Sequence, residues 1–317
     1  MAQVQGGRLR AVQYVGRLAP SPTGALHLGN VRTFMIAWLR ARSMGGRIIL
    51  RMEDLDHPRD KPGAADAAIE DLRWLGFDWD EEYVQSRRKD IYREALECLR
   101  KKNLVYPCVC SRRDVESAQS APHEGEQLRY AGFCRGRFDS WRKARESKGA
   151  DPVWRFMVPE GSLVEFDDVF LGPVRQDVFS VLGDFPLARD EYGAGYTLAC
   201  VLDDMLMGVS EVVRGDDLAP ATPAQIMVAR ELASFAGGGM PRYCHVPLVV
   251  GRDGKRLAKR HGDTRISFFR QSGLTAKEII GRLAFSCGWA EEGENVALAD
   301  LVPRFDLSVV SHDAFMV

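Results

Sequence analysis

Three stretches of the sequence set reactive side chains at spacings that suit chemistry. The first is Arg17-Leu-Ala19-Pro20-Ser21-Pro22-Thr-Gly24-Ala-Leu-His27-Leu-Gly29-Asn30. Pro20 and Pro22 fix φ and stiffen a turn, and Gly24 and Gly29 let a ligand come close to backbone. A helix starting here offers unpaired N–H groups and positive dipole to an anion, and His27 can donate to a phosphate oxygen. The turn is neither G-x-G-x-x-G nor G-x-x-x-x-G-K-[ST], which disfavours a dinucleotide site and a P-loop. The second stretch, Asp253-Gly-Lys255-Arg256-Leu-Ala258-Lys259-Arg260-His261-Gly262, carries four Lys/Arg. Such cations suit a reaction that spreads negative charge over phosphoryl oxygens. The third is Cys108-Val-Cys110 with Tyr130-Ala-Gly-Phe-Cys134, three thiolates for a tetrahedral zinc ion. Its fourth ligand is open between Tyr130, whose phenol the metal must deprotonate, His123 and water. Each stretch also has a plain reading: a capped turn, a solvated basic loop, three reduced core cysteines.

Elements must position these groups. Val12 to Leu18 reads as a buried strand. Asn30 to Met44 reads as a helix, with Val31, Phe34, Trp38 and Leu39 on one face and Gly45-Gly46 as its stop. Arg47 to Met52 reads as a second strand, giving a right-handed parallel unit. Further helices are expected over Ala64 to Leu75, Lys89 to Lys101, Thr222 to Ala236 and, near the C-terminus, Ala276 to Phe285. Tyr196 to Val201 and Glu211 to Arg214 have buried-strand composition, and another strand follows Pro241. Arg17, Glu53 and Arg214 then fall at the ends of three strands, where open α/β sheets bind ligands. The expected division is a catalytic domain over 1–103 and 191–240, an inserted subdomain over 104–190, and the basic loop with short helices over 241–317.

Bulk properties exclude several classes. The chain has 317 residues, 45% hydrophobic and 27% charged, which argues against disorder, collagen and coiled coil. Lys and Arg total 43 against 44 Asp and Glu, so this is not a protein that coats nucleic acid by bulk charge. Charge is nonetheless uneven: net −6 from Glu53 to Asp90, and +5 both from Arg129 to Lys148 and from Arg252 to Arg270. That pattern suits gripping a polyanion at chosen points. The first 16 residues lack the apolar core of a signal peptide, and Tyr192 to Leu202 is too short to span a membrane. A cytoplasmic protein with reduced cysteines is expected, without membrane contact. No long apolar stripe is left to share, so a monomer is expected.

Taken together the motifs resemble class I aminoacyl-tRNA synthetases of the glutamyl branch. His27-Leu-Gly29-Asn30 resembles the HIGH signature with Asn for its last His. Arg256-Leu-Ala258-Lys259-Arg260 resembles KMSKS, with Arg for the first Lys, Ala for the Ser, and the second Lys kept as Lys259. The resemblance implies an α/β fold: a Rossmann-like parallel sheet, an inserted zinc-binding subdomain and a short helical C-terminal extension. It implies that Arg17, Ala19, Ser21, Glu53, Tyr196 and Arg214 bind L-glutamate. His27, Gly29, Asn30 and Lys259 would bind ATP with its Mg²⁺, His27 and Lys259 assisting the chemistry. The C-x-C and Y-x-x-x-C pair resembles the zinc site of the glutamyl-queuosine tRNA(Asp) synthetases, so Cys108, Cys110, Tyr130 and Cys134 would hold one structural Zn²⁺. Val317 follows the basic loop by about fifty residues, too few for an anticodon-reading domain of ordinary size. The implied activity is ATP-dependent activation of glutamate and its transfer to the queuosine base of tRNA(Asp). Rivals are a shortened glutamyl-tRNA synthetase charging a 3′ end and a non-catalytic tRNA-binding paralogue.

Overall fold

The computed structural model describes residues 13–55, 61–118, 129–191, 195–254, 257 and 263–317. The strands are β1 (Val15–Leu18), β2 (Arg47–Met52), β3 (Glu81–Val84), β4 (Val105–Cys108), β5 (Val153–Phe156), β6 (Leu163–Asp168), β7 (Gly172–Asp177), β8 (Phe185–Ala188), β9 (Glu211–Gly215), β10 (Arg242–Val246), β11 (Val249–Val250) and β12 (Phe315–Met316). The helices are α1 (Leu28–Ser43), α2 (Ala64–Trp74), α3 (Lys89–Lys101), α4 (Arg112–Ala118), α5 (Trp141–Lys148), α6 (Val178–Val181), α7 (Tyr196–Leu206), α8 (Thr222–Ala236), α9 (Ile266–Gln271) and α10 (Ala276–Phe285).

β1, β2 and β3 form a parallel sheet with β2 central. A second sheet runs β7-β6-β10-β9, in which β9, β10 and β6 are parallel and β7 closes a hairpin. The backbone N–H of Ser210, just before β9, donates to Val15 O of β1 at 2.9 Å, which sets the two sheets edge to edge. β1 and β9 are buried at every position, as expected of parallel strands covered on both faces.

The pleat sorts side chains between two cores. Leu18, Ile48, Leu50, Met52, Val213, Cys244 and Val246 face the core shared with α1 and α10. Val15, Ile49, Val212 and Tyr243 face the core shared with α3, α7 and α8. Alternation by two then sends Arg17, Arg51, Arg214 and His245 to this second face, at the C-terminal ends of their strands. Arg214 and His245 are direct register partners.

One expected strand is a helix. Tyr196 to Val201 begins α7, which buries Leu198, Ala199, Cys200, Val201, Leu202, Asp203, Asp204 and Met205. A helix packed on nearly all sides loses its polar stripe, and a short apolar window then cannot distinguish it from a buried strand. Within the span 104–190, β4, β5 and β8 form an antiparallel sheet beside the cysteines. The β6–β7 hairpin lies in the same span but pairs with β10, through Asp168 and Tyr243. After the basic loop, α10 is capped by a Thr275–Glu278 box, and β12 pairs in parallel with β11. No described helix is long and apolar enough to cross a membrane.

Candidate functional site

The turn after β1 leads to α1. His27 is the N-cap, its Nδ1 accepting the backbone N–H groups of Gly29 at 3.1 Å and Asn30 at 3.4 Å, while Asn30 Oδ1 accepts the N–H of His27 at 3.2 Å. An Nδ1 that accepts twice carries no proton, so the neutral ring holds its proton on Nε2 and presents a donor there. A Cβ on residue 29 would lie 3.1 Å from this ring, a tight contact that the histidine would have to shift to relieve. The far side of the basic loop is tied to the same turn: Leu28 N donates to Thr264 O, and Ile266 N to Leu26 O. Lys255, Arg256, Ala258, Lys259, Arg260, His261 and Gly262 lie outside the described residues, as do Asp56 and His123.

Beside this turn opens a cavity of about 410 Å³. Arg17, Ala19, Ser21, His27, Gly29, Asn30, Glu53, Tyr196 and Arg214 all line it. Arg17 donates from Nη1 to Val213 O at 2.7 Å, and its buried Nε has no hydrogen-bond partner among the described residues, with Asp204 Oδ1 3.6 Å away. Glu53 Oε1 accepts from Arg51 Nη2 at 3.0 Å and from the Cys200 thiol at 3.2 Å. Arg51 also reaches Asp204 Oδ1 at 2.6 Å. Burial opposes the Arg51 charge, but Asp204 and Glu53 outweigh it and hold the guanidinium firmly protonated. Burial is also the main reason the Cys200 thiol is pushed well above its ordinary pKa, with Glu53 adding to it. Tyr196, first residue of α7, stands at the mouth and is 45% exposed.

Arg214 is held from behind. Its Nε donates to His245 Nε2 at 3.0 Å, and its Nη2 to Thr222 Oγ1 and Gln225 Oε1, both at 2.7 Å. Its Nη1 has no hydrogen-bond partner among the described residues. His245 Nδ1 meets Asp168 Oδ2 at 2.6 Å, and both side chains are fully buried. Burial raises the Asp168 pKa, but hydrogen bonds from His245, Leu171 and Phe170 overcome that and hold it below the usual carboxylate range. Burial, with help from the Arg214 charge, lowers the His245 pKa against the pull of Asp168.

The cysteines also converge. The sulfurs of Cys108, Cys110 and Cys134 lie within 4.8 Å of one another, the last two 3.6 Å apart. Tyr130 Oη is 3.2 Å from Cys108 Sγ and 3.4 Å from Cys110 Sγ, and takes the Cys134 N–H at 3.0 Å. Zinc–sulfur bonds of about 2.3 Å at tetrahedral angles give S···S edges of about 3.8 Å, so three sulfurs and one phenol oxygen at these separations fit the ion. Arg155 donates to Cys108 Sγ at 3.2 Å and lies over the Tyr130 ring, fixing the orientation of both side chains. Burial and hydrogen bonds to the cysteines push the Tyr130 phenol above its ordinary pKa, so an ion would have to displace its proton.

The family model "tRNA synthetases class I (E and Q), catalytic domain" matches residues 13–316. The chain belongs to this family of class I tRNA synthetases, and it is an enzyme of the ligase type. Among curated relatives, it is 44% identical over 309 residues to a glutamyl-Q tRNA(Asp) synthetase of Symbiobacterium thermophilum, covering 94% of each chain. It is 45% identical to another of that name from Rhodopirellula baltica, over 92% of this chain and 93% of the relative. A glutamate–tRNA ligase of Aquifex aeolicus is 38% identical over 93% of this chain and 62% of its own length. A solved glutamate tRNA ligase of Elizabethkingia meningosepticum, in complex with its amino acid, superposes with a TM-score of 0.77 at 26% identity, over 96% of this chain and 67% of the other.

In this synthetase Arg51, Cys200 and Asp204 at the cavity and Asp168, Thr222, Gln225 and His245 behind it were not legible as site residues in the sequence. Charge inside the near-continuous apolar strand Arg47–Met52 is the signal that could have found Arg51. Thr222 and Gln225, three apart on the first turn of α8, give no such signal. Asp54 serves structure: it accepts the Ser86 N–H at 2.8 Å and the Ser86 hydroxyl at 2.5 Å.

Proposed function

We propose that this synthetase activates L-glutamate with ATP and transfers the glutamyl group to the queuosine base of tRNA(Asp). The observation that carries the reading is that Arg17, Glu53 and Arg214, from three separate strand ends, line one cavity beside the His27 helix start. Glutamate has two carboxylates and one ammonium group. Arg17 and Arg214 would take the carboxylates, which planar guanidinium forks suit. Glu53 is the anion for the ammonium group, with Ala19, Ser21 and Tyr196 shaping the space around it. His27 Nε2–H, Gly29 and Asn30 would receive ATP with its Mg²⁺, and the resemblance of the basic loop to KMSKS assigns Lys259 to the phosphates.

The α-carboxylate oxygen attacks the α-phosphorus, the bond to pyrophosphate breaks, and glutamyl-adenylate forms. A hydroxyl of the modified nucleoside then attacks the activated carbonyl, and AMP leaves. Neither step needs a protein nucleophile, because proximity and charge stabilisation suffice. Cys108, Cys110, Cys134 and Tyr130 would hold one zinc ion, whose part is structural, in the subdomain over 104–190. The reaction is assigned to a cytoplasmic monomer, in line with the expectation from the sequence.

Relatives that match over nearly their whole length bear the queuosine-specific name, which favours that acceptor over a tRNA 3′ end. The test incubates the protein with ATP, labelled glutamate and tRNA(Asp) containing or lacking queuosine, then digests the RNA. Label on the queuosine nucleoside supports the proposal. Label on the 3′-terminal adenosine, or labelling that ignores queuosine, contradicts it.

A further inference from the structure

Arg214 reaches the cavity by one end only. Two of its three nitrogens are committed to Thr222, Gln225 and His245, which leaves Nη1 for a ligand. A guanidinium has only donors, so the bond from Arg214 Nε requires His245 Nε2 to be unprotonated. The neutral ring then carries its proton on Nδ1, 2.6 Å from Asp168 Oδ2. Asp168 Oδ1 is fixed in turn by the backbone N–H groups of Phe170, Leu171 and His245, at 3.0, 2.9 and 3.1 Å. The chain of bonds runs from the β6–β7 turn, through β10, to the fork on β9.

We infer that Asp168 and His245 are positioning residues that set the histidine tautomer and thereby aim Arg214 at a substrate carboxylate. They touch no substrate themselves. The inference rests on the glutamate reading of the cavity, and it assigns the β6–β7 hairpin a part in amino-acid selection. An Asp168→Asn change preserves shape and the Oδ1 acceptor but turns a donor toward His245 Nδ1. The ring must then place its proton on Nε2, facing Arg214 Nε–H, and the two donors repel. The logic is that of an aspartate holding a catalytic histidine in one tautomer.

The test measures glutamate-dependent ATP–pyrophosphate exchange for the native protein and for Asp168→Asn, His245→Leu and His245→Gln, with thermal melting of each. His245→Gln can offer its amide oxygen where Nε2 stood, so it preserves an acceptor for Arg214. Asp168→Asn and His245→Leu are expected to raise the glutamate KM about tenfold or more, the size of one misaligned charge-assisted hydrogen bond, while the ATP KM holds within about twofold. His245→Gln is expected to raise the glutamate KM less than about threefold. If Asp168→Asn does not fold, the contrast between His245→Gln and His245→Leu decides. A glutamate KM for His245→Leu or a folded Asp168→Asn within twofold of native, or an ATP KM that rises in proportion, overturns the inference. Absence of glutamate-dependent exchange in the native protein would instead defeat the glutamate reading itself.

Discussion

Arg214 is the residue on which selection of a carboxylate depends in the proposed reaction. Lysine keeps the charge but cannot bond Thr222, Gln225, His245 and a ligand at once. Arg214→Lys is therefore expected to raise the glutamate KM by about tenfold to a hundredfold, with the ATP KM within about twofold, in steady-state exchange kinetics. His245 also links stability to acidity. Its pKa in the fold is depressed by burial, so the unfolded chain takes up this proton first as pH falls through about 6.5. The unfolded state binds more protons in that window, and stability declines as pH drops toward the folded value. The melting temperature should fall between pH 7 and 6, and His245→Gln should remove part of that fall in a pH series of melts. At this scale Arg17, Glu53 and Arg214 were legible as charges closing apolar strands. Asp168 and His245 were not, because their partnership depends on β6 pairing with β10, across 77 residues of chain.

Helices were legible where one face stayed polar, and the strand Arg47–Met52, buried at nearly every position, as an apolar run set off by Gly45-Gly46. The strand Arg47–Met52 and the helices Lys89–Lys101, Thr222–Ala236 and Ala276–Phe285 have the expected bounds. α7 was misread because burial on nearly all sides erases periodicity. The inserted span was read as one unit, but its hairpin belongs to the parallel sheet, a pairing that no local pattern encodes. Zinc held by Cys108, Cys110, Cys134 and Tyr130 would staple β4 to the segment before α5, so one zinc per chain is expected by elemental analysis. Cys110→Ser or chelation should lower the melting temperature by several degrees, at about 2–4 °C per kcal/mol. Arg32, 1% exposed, joins α1 to Pro247 O at 2.7 Å and to Ser286 Oγ at 2.9 Å, with no carboxylate among these partners. Arg32→Met strands both acceptors and should cost about 2–4 kcal/mol in denaturant unfolding.

Charge behaves differently in the whole molecule than along the sequence. Of the seven cations from Arg129 to Lys148, Arg135, Arg142, Lys143, Arg145 and Lys148 pair with Asp184, Glu146, Asp139, Asp151 and Asp114. Asp114, Asp151 and Asp184 come from outside that span, so the local excess is largely answered in space. On the acidic span, Asp78, Asp80, Glu81 and Glu70 meet Arg42, Arg47 and Arg270. Binding of tRNA is therefore expected to lose affinity with salt only modestly, with a log–log slope of about −3 or shallower in a titration across salt concentrations. The central question is whether the cavity activates one particular amino acid. ATP–pyrophosphate exchange without tRNA, run with glutamate, glutamine and aspartate in turn, asks it most directly. Exchange should require glutamate and be about a hundredfold or more weaker with the other two. Equal exchange with glutamine, or none with any of the three, would contradict the assignment of Arg17, Glu53 and Arg214.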